Sequence, residues 1–352
     1  MNNIYEAEIS IAMATYNGEK YLLEQLQSFS KQSVLPTELV IYDDCSTDRT
    51  CEIIEEFSNT APFKIKLIKE EKNIGGSIRD GYGLSFSKAA ENCNGDYIFF
   101  SDQDDVWFPN KIEKHLEIYK QNPNISFITS RPHNVDENLN ELPNKTTNPF
   151  QDMLTQKFVM GCCSSGKKDF FKLMLPIEAG ISHDWWATVC AVSINQFYET
   201  DEELQYYRYH QNQTSGVASS KKKDPISKLK KSINGYIVDH EGENISKDLK
   251  LWSIRLKSFE KYCDRLKSIN SEYFTEKAKK YLKNMQNLCK TLSFRHNLRQ
   301  ISFLRRLKSI VRNFSDIYKT QRQRNLSDSI KQAFKDLIAP SFAKINTQIC
   351  FE

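Results

Sequence analysis

The sequence predicts an α/β fold: a mostly parallel sheet with helices on both faces, followed by a basic α-helical C-terminal region. Three observations carry this expectation. Short apolar runs alternate with segments of helical spacing through the N-terminal half, the pattern of strand–helix–strand units. Three of those runs end in Thr15-Tyr16, Asp43-Asp44 and Asp102-Gln103-Asp104. In a parallel sheet such ends share one edge, where ligands bind. Glycine then becomes rare after about residue 245, while apolar residues recur at helical spacing among Lys and Arg.

The elements follow in order. Glu8-Ile-Ser-Ile-Ala-Met-Ala14 reads as a strand, and Thr15-Tyr-Asn-Gly18 as a turn, because Asn-Gly favours one. Tyr21, Leu22, Leu26 and Phe29 then mark a helix. Glu38-Leu-Val-Ile-Tyr42 is the second strand, and Ser46 or Thr47 is placed to cap a helix carrying Ile53, Ile54 and Phe57. Phe63-Lys-Ile-Lys-Leu-Ile68 alternates as a third strand, and Asn73-Ile-Gly-Gly76 opens another helix. Tyr97-Ile-Phe-Phe100 reads as a buried strand, with Pro109 in the first turn of the helix after it. Helical spacing returns in residues 251–259, 281–288 and 301–311. A polar, lysine-rich linker at 219–225 separates two regions, 1–220 and 221–352.

Asp102-Gln-Asp104-Asp105 is the most informative stretch. Three carboxylates at the end of a buried strand repel one another and lose hydration, a cost that nearby positive charge relieves. Asp102 and Asp104 are two apart and point to one side of an extended backbone. Hard oxygen ligands, few and open to solvent, suit Mg2+ or Mn2+ carrying a phosphate-bearing substrate. The same residues also fit a plain acidic helix start.

These motifs, in this order, resemble the bacterial family 2 glycosyltransferases of GT-A fold, from about residue 8 to 216. Ser10-Ile-Ala-Met-Ala-Thr-Tyr-Asn-Gly18 is similar to the family's first strand and loop, and the stretch from Gln32 to Asp48 to its second strand with a nucleoside-binding acid. Asn73, Gly75 and Arg79 fall on its Asn-x-Gly segment and nucleotide-facing Arg. The stretch from Asn94 to Lys111 resembles the metal-binding DXD strand, in a form similar to a rhamnosyltransferase-like subgroup. His183-Asp184-Trp185-Trp186 resembles the segment carrying the catalytic base, and residues 207–216 the terminal active-site loop.

The resemblance implies inverting transfer of a sugar from a nucleotide-sugar, with UDP or dTDP favoured, to a glycan or polyprenyl-diphosphate-linked acceptor in the synthesis of a surface polysaccharide such as capsule or O-antigen. Asp104 with Asp102 would hold the metal, Mg2+ or Mn2+, against the leaving diphosphate. Asp184 would be the general base, with His183 or Glu178 next in line. Ala14, Tyr16, Asp44, Arg79, Asp102 and Gln103 would bind the nucleotide. Arg208 and His210 would sit by the diphosphate, His210 also as an extra metal ligand. Gly161, Trp185 and Trp186 would lie on the acceptor side, where Lys167-Lys168 departs from the family's apolar pattern.

Bland readings stand beside these: Asp43-Asp44 as a strand-end turn, Tyr16 and the tryptophans as core, Arg79 as a solvated charge, Asp184 as the cap of a helix beginning at Trp185, Arg208 and His210 as surface loop. Two alternative functions remain in view. One is a catalytically silent GT-A scaffold recruiting a membrane complex. The other is a sugar-phosphate nucleotidyltransferase, which would want a Gly-rich phosphate loop where Thr15-Tyr-Asn-Gly18 stands.

Composition narrows the rest. No Gly-x-Gly-x-x-Gly follows a strand and no P-loop occurs, which argues against a dehydrogenase or an NTPase. Nine cysteines without a Cys-x-x-Cys pair, a start without an apolar leader and the lack of a membrane-length apolar run predict free thiols and a cytoplasmic protein. After residue 220 the chain holds 30 of its 49 Lys and Arg but 13 of its 45 Asp and Glu, a net +17 against −13 before it. That region reads either as a solvated helical bundle or as a contact with the anionic inner face of the cell membrane, best through 301–312. Nothing in it resembles a nucleic-acid reading helix, so no nucleic-acid partner is expected.

Overall fold

The computed structural model describes residues 6–73, 82–142, 160–211, 240–269, 274–298 and 309–310. In chain order these form β1 (Ile9–Thr15), α1 (Leu22–Ser30), β2 (Glu38–Asp43), α2 (Thr50–Ser58), β3 (Lys64–Lys69), α3 (Tyr82–Glu91), β4 (Tyr97–Ser101), β5 (Val106–Trp107), α4 (Lys111–Gln121), β6 (Phe127–Val135), β7 (Ser164–Lys167), α5 (Lys168–Met174), α6 (His183–Ser193), β8 (Phe197–Arg208), α7 (His240–Ile269) and α8 (Glu276–Leu298). The strands make one sheet in the order β3-β2-β1-β4-β7-β6-β8-β5. The first four are mutually parallel. β7 runs antiparallel between β4 and β6, β8 lies parallel to β6, and β5 closes the edge antiparallel to β8.

Burial explains the apolar runs. β1 lies between β2 and β4 with both faces covered, so Ile9, Ile11, Ala12 and Met13 are all fully buried. Ile9, Ile11 and Met13 pack with Leu22, Leu26 and Phe29 of α1, Leu39 and Ile41 of β2, and Phe99, Trp107 and Leu116. Each such side chain contributes roughly 1.5–3 kcal/mol on burial, so α1 is held by its apolar stripe rather than by its start, which carries no side-chain cap.

Local chemistry differs from expectation at three places. Neither Ser46 nor Thr47 caps α2. Ser46 bonds back to Asp43, Thr47 N donates to Asn17 Oδ1, and Asp48 Oδ1 accepts from Thr50 N at 3.0 Å, so the capping carboxylate is Asp48. These bonds hold the Asp48 carboxyl below its usual range against the opposing effect of burial. The small residues 161–166, which have no apolar pattern, form regular elements. Gly161–Cys163 is a single 3-10 turn, and Ser164–Lys167 is the internal strand β7. The Ser165 hydroxyl meets His115 Nδ1 at 2.7 Å, and its carbonyl accepts from Tyr119 O–H at 2.8 Å. Pro109 precedes α4, whose first residue is Lys111.

The chain divides into two compact units, Met1–Ala218 with Lys261–Ala278, and Ser219–Glu260 with Lys279–Glu352. The first unit thus takes in a stretch of the helical region expected beyond residue 220. Tyr262 O–H donates to Cys190 O at 3.1 Å and Thr275 O–H to Ser193 O at 2.5 Å. In the second unit the described parts of α7 and α8 bear out helical spacing at 251–259 and 281–288. The helix expected to open at Asn73 and most of 301–312 lie outside the described residues. Among the described residues no helix is long and apolar enough to cross a membrane, and eight cysteines stand outside any disulfide.

Candidate active site

Parallel register sets the site. Thr15 pairs with Asp43 and Met13 with Ser101, so β1, β2 and β4 leave the sheet side by side. Asp43 is consumed internally, accepting from Thr15 O–H at 2.7 Å and from Ser46 N–H and O–H at 2.9 and 2.6 Å. Asp44, buried, has its backbone tied at both ends: its N–H donates to Thr15 O at 2.9 Å and its carbonyl accepts from Asn73 Nδ2 at 3.0 Å. Ala14 pairs with Tyr42 just inside this edge. Tyr16 is 47% exposed and is not core. Arg79 lies outside the described residues.

Gln103 links two of the strand ends. Its side-chain amide accepts from Tyr16 N–H and donates to Tyr16 O. Gly18 makes room for it, because a Cβ there would stand 2.5 Å from Gln103 Oε1.

The acidic cluster divides in two. Asp105 turns inward and is fully buried, accepting from Gln205 Nε2 at 2.7 Å and Arg208 N–H at 3.2 Å. Asp102 and Asp104 remain half-buried at the edge. Burial, then repulsion from Asp104 and Asp184, holds the Asp102 carboxyl well above the usual carboxylate range. Asp104 Oδ2 faces His210 Nε2 at 2.9 Å, an approach made possible because β5 pairs with β8 and so brings the two segments together.

The positive charge that such a cluster calls for is Lys111, which the sequence reading missed. It is fully buried at the start of α4, donates to Gln205 Oε1 and Cys162 O at 2.5 and 2.6 Å, and lies 3.9 Å over the Trp107 ring. Burial lowers its pKa to about 8. A lysine in a first helical turn usually reads as solvated; the signal here was its place six residues beyond the three carboxylates of Asp102–Asp105.

One group among the described residues has the spacing of a metal site. Ligand atoms of Asp102, Asp105 and Cys162 lie within 4.8 Å of one another. Both Asp105 oxygens already accept hydrogen bonds, and burial raises the Cys162 thiol well above its normal pKa, keeping it protonated. Asp104 and His210 offer a second oxygen and imidazole pair nearer solvent, 2.9 Å apart, beside the half-buried Asp102.

Several expected roles change. The Arg208 side chain is 3% exposed and is not open to a diphosphate: Nε donates to Asp104 O at 2.9 Å, Nη1 to Glu137 O at 2.7 Å and Nη2 to Glu24. His183 is a poor reserve base. It is buried, stacked on Phe86 at 3.7 Å, and desolvation drops its pKa to about 4. Gly161 is glycine because that ring fills its Cβ position, with Nε2 only 1.9 Å away. Glu178 is paired with Lys261 at 2.8 Å. Trp186 is core rather than acceptor wall, its N–H donating to Met174 O at 2.9 Å beneath Tyr262, and Trp185 is buried beside it. Asp184 is half-buried in the first turn of α6, which begins one residue earlier than Asp184 itself, and its Oδ1 accepts from Trp185 N–H at 2.6 Å.

Comparison with known proteins identifies the family. Residues 10–174 match the model of Glycosyl transferase family 2. The chain is 30% identical over 215 residues to a dTDP-rhamnosyl transferase, RfbG, of Shigella flexneri, covering 58% of this chain and 74% of that protein. It is 26% identical over 250 residues to an uncharacterized glycosyltransferase of Nostoc sp., covering 66% and 75%. The crystal structure of S. aureus TarS 1–349 in complex with UDP-GlcNAc superposes with a TM-score of 0.55 at 17% identity, covering 94% of this chain and 88% of that one, which shows a shared GT-A fold. With strand-end acids on that fold and RfbG matched over most of its length, the chain belongs to glycosyl transferase family 2 and is a glycosyltransferase.

Proposed function

We propose that this enzyme moves a sugar, with inversion, from a UDP- or dTDP-sugar to a hydroxyl of a glycan or polyprenyl-diphosphate-linked acceptor in bacterial surface polysaccharide synthesis. One observation carries the reading: Asp104 meets His210 at 2.9 Å at the sheet edge, with Asp102 close enough to feel the charges of both Asp104 and Asp184. The printed name of the Shigella relative supports a dTDP-linked donor, and Asp44, just past the end of β2, would accept from the ring N–H of thymine or uracil.

Two carboxylates and an imidazole fit a small divalent cation, Mg2+ or Mn2+, and the mutual repulsion of Asp102, Asp104 and Asp184 is the kind of strain that a cation relieves. Asp104 with Asp102 and His210 would hold it, and when bound it supplies positive charge to the departing diphosphate. Tyr16 offers an exposed ring face to the base. Asp184 takes the proton from the acceptor hydroxyl, from a helix first turn that favours negative charge. The net +17 after residue 220 supports work at an anionic membrane surface.

The test is donor turnover by the full chain with UDP-, dTDP- and GDP-sugars. Nucleoside diphosphate release that needs Mn2+ or Mg2+ and stops with EDTA supports the reading. No release from any donor makes the chain a silent scaffold and overturns it. Release untouched by EDTA removes the metal.

A further inference from the structure

Arg208 and Tyr21 are the most heavily committed side chains near the site that the proposed reaction leaves without a role. Tyr21 stands just before α1, and Glu24 lies in the first turn of that helix. The Arg208 guanidinium lies 4.5 Å from the Tyr21 ring centroid, and His210 is a ring neighbour of Tyr21, with centroids 4.7 Å apart. Tyr21 O–H donates to Glu137 Oε2 at 3.3 Å, while Arg208 donates to the Glu137 carbonyl at 2.7 Å. Arg208 also donates to the Asp104 carbonyl and to the Glu24 carboxylate, and Asp104 Oδ2 faces His210. The contacts form a closed loop from Asp104 through Arg208 and Tyr21 to His210 and back to Asp104.

We infer that Tyr21, with Glu24 acting through Arg208, is a positioning device that fixes Asp104 and His210 at the separation a divalent cation requires. The inference rests on the proposed metal reading. The reason is geometric. Asp104 sits on the turn after β4 and His210 beyond the end of β8. The short β5–β8 ladder brings those segments together but leaves both side chains free to rotate. The Tyr21 ring restricts His210, and the Arg208 bond to the Asp104 carbonyl restricts that turn. Glu24 is 54% exposed, yet its partner Arg208 is 3% exposed, so the ion pair reaches from solvent to the buried brace. Partners that orient metal ligands commonly change metal affinity by roughly 10–100-fold when removed.

The experiment measures Mn2+ binding by the full chain in the presence of UDP, using the electron paramagnetic resonance signal of free Mn2+. UDP binding in EDTA is followed in parallel. The parent must bind Mn2+ and Asp104→Asn must lose it; if either fails, the metal reading falls. Given both, Tyr21→Leu should weaken Mn2+ binding about tenfold, while Tyr21→Phe, which keeps the ring, stays within about twofold of the parent. UDP binding in EDTA should be unchanged in both, which general loosening of the fold would not allow. Tyr21→Leu changes no charge, so its effect is geometric. Should that variant fail to fold by circular dichroism, the exposed Glu24→Gln decides, with a loss of Mn2+ affinity expected at both low and high salt. Parental Mn2+ affinity in a folded Tyr21→Leu, or in Glu24→Gln, overturns the brace and leaves the metal reading standing. An equal loss of UDP binding in EDTA also overturns it.

Discussion

Gln103 holds the backbone of Tyr16 from both sides: Tyr16 N–H donates to Gln103 Oε1 at 2.9 Å, and Gln103 Nε2 donates to Tyr16 O at 3.0 Å. The middle residue of the acidic motif therefore fixes the loop that presents the exposed Tyr16 ring. Gln103→Ala should free that loop and weaken UDP or dTDP binding by roughly five- to tenfold, the value of one or two net hydrogen bonds. Gly18→Ala should do the same, because its Cβ would displace the Gln103 amide. The double variant should be little worse than either single one, since both break one clamp. Titration calorimetry showing additive losses would separate the two residues.

Asp184→Asn tests the base. A group that acts on the acceptor proton in the transition state should lower kcat by roughly 100-fold or more and leave donor affinity near that of the parent. Steady-state transfer assays with donor titrations check both numbers. Loss of nucleotide binding would place Asp184 with the metal ligands instead, and transfer above about a third of parental would move the base elsewhere.

Lys111 and Asp105 are buried ionisable partners relayed through Gln205, and burial with the neighbouring acids holds the Asp105 carboxyl well above the usual carboxylate range. Lys111→Met leaves Asp105 enclosed without its cation and should cost about 3–5 kcal/mol of stability. The combined Lys111→Met, Asp105→Asn variant should recover part of that loss, because it removes both ionisable partners. Urea denaturation of the four proteins closes the cycle; a double variant weaker than Lys111→Met alone would show that the two do not act as a pair.

His183 gives a pH dependence with a definite sign. Its folded pKa of about 4 lies below the usual value of 6.5, because burial penalises the cation. Above pH 6.5 both states are neutral and its stability contribution is fully present. As pH falls from 6.5 to 4 the unfolded chain takes up a proton that the fold refuses, so stability is lost, by about 3 kcal/mol. His115, also buried with a strongly lowered pKa, adds to the same limb. His183→Phe keeps the stack on Phe86 and should flatten, without abolishing, the decline in melting temperature between pH 6.5 and 4. An unchanged slope would show that His183 already titrates normally.

How much of this was legible in the sequence depended on whether the information was local. β1, β2 and β4 were readable because strands buried on both faces are apolar throughout, β3 because its lysines alternate with apolar residues at the sheet's edge, and the acids could be placed at one edge because parallel strands end together. Asp102 and Asp104 share a side because strand side chains repeat every two residues. β7 was not readable, since Ser164-Ser-Gly-Lys167 has no apolar pattern and is a strand only because β4 and β6 stand on either side of it.

The same division runs through the site. The sequence by itself determined which residues carry charge at the strand ends and that the chain has the motifs of its family. Tertiary structure alone decided what those charges are free to do. Asp105, Lys111 and Arg208 look as available in sequence as Asp104 and His210, but the β5–β8 pairing closes a buried network around the first three and leaves the last two at the edge. Donors and acceptors are used up by partners about a hundred residues away, and no local window of sequence records a contact that exists only once the sheet has formed.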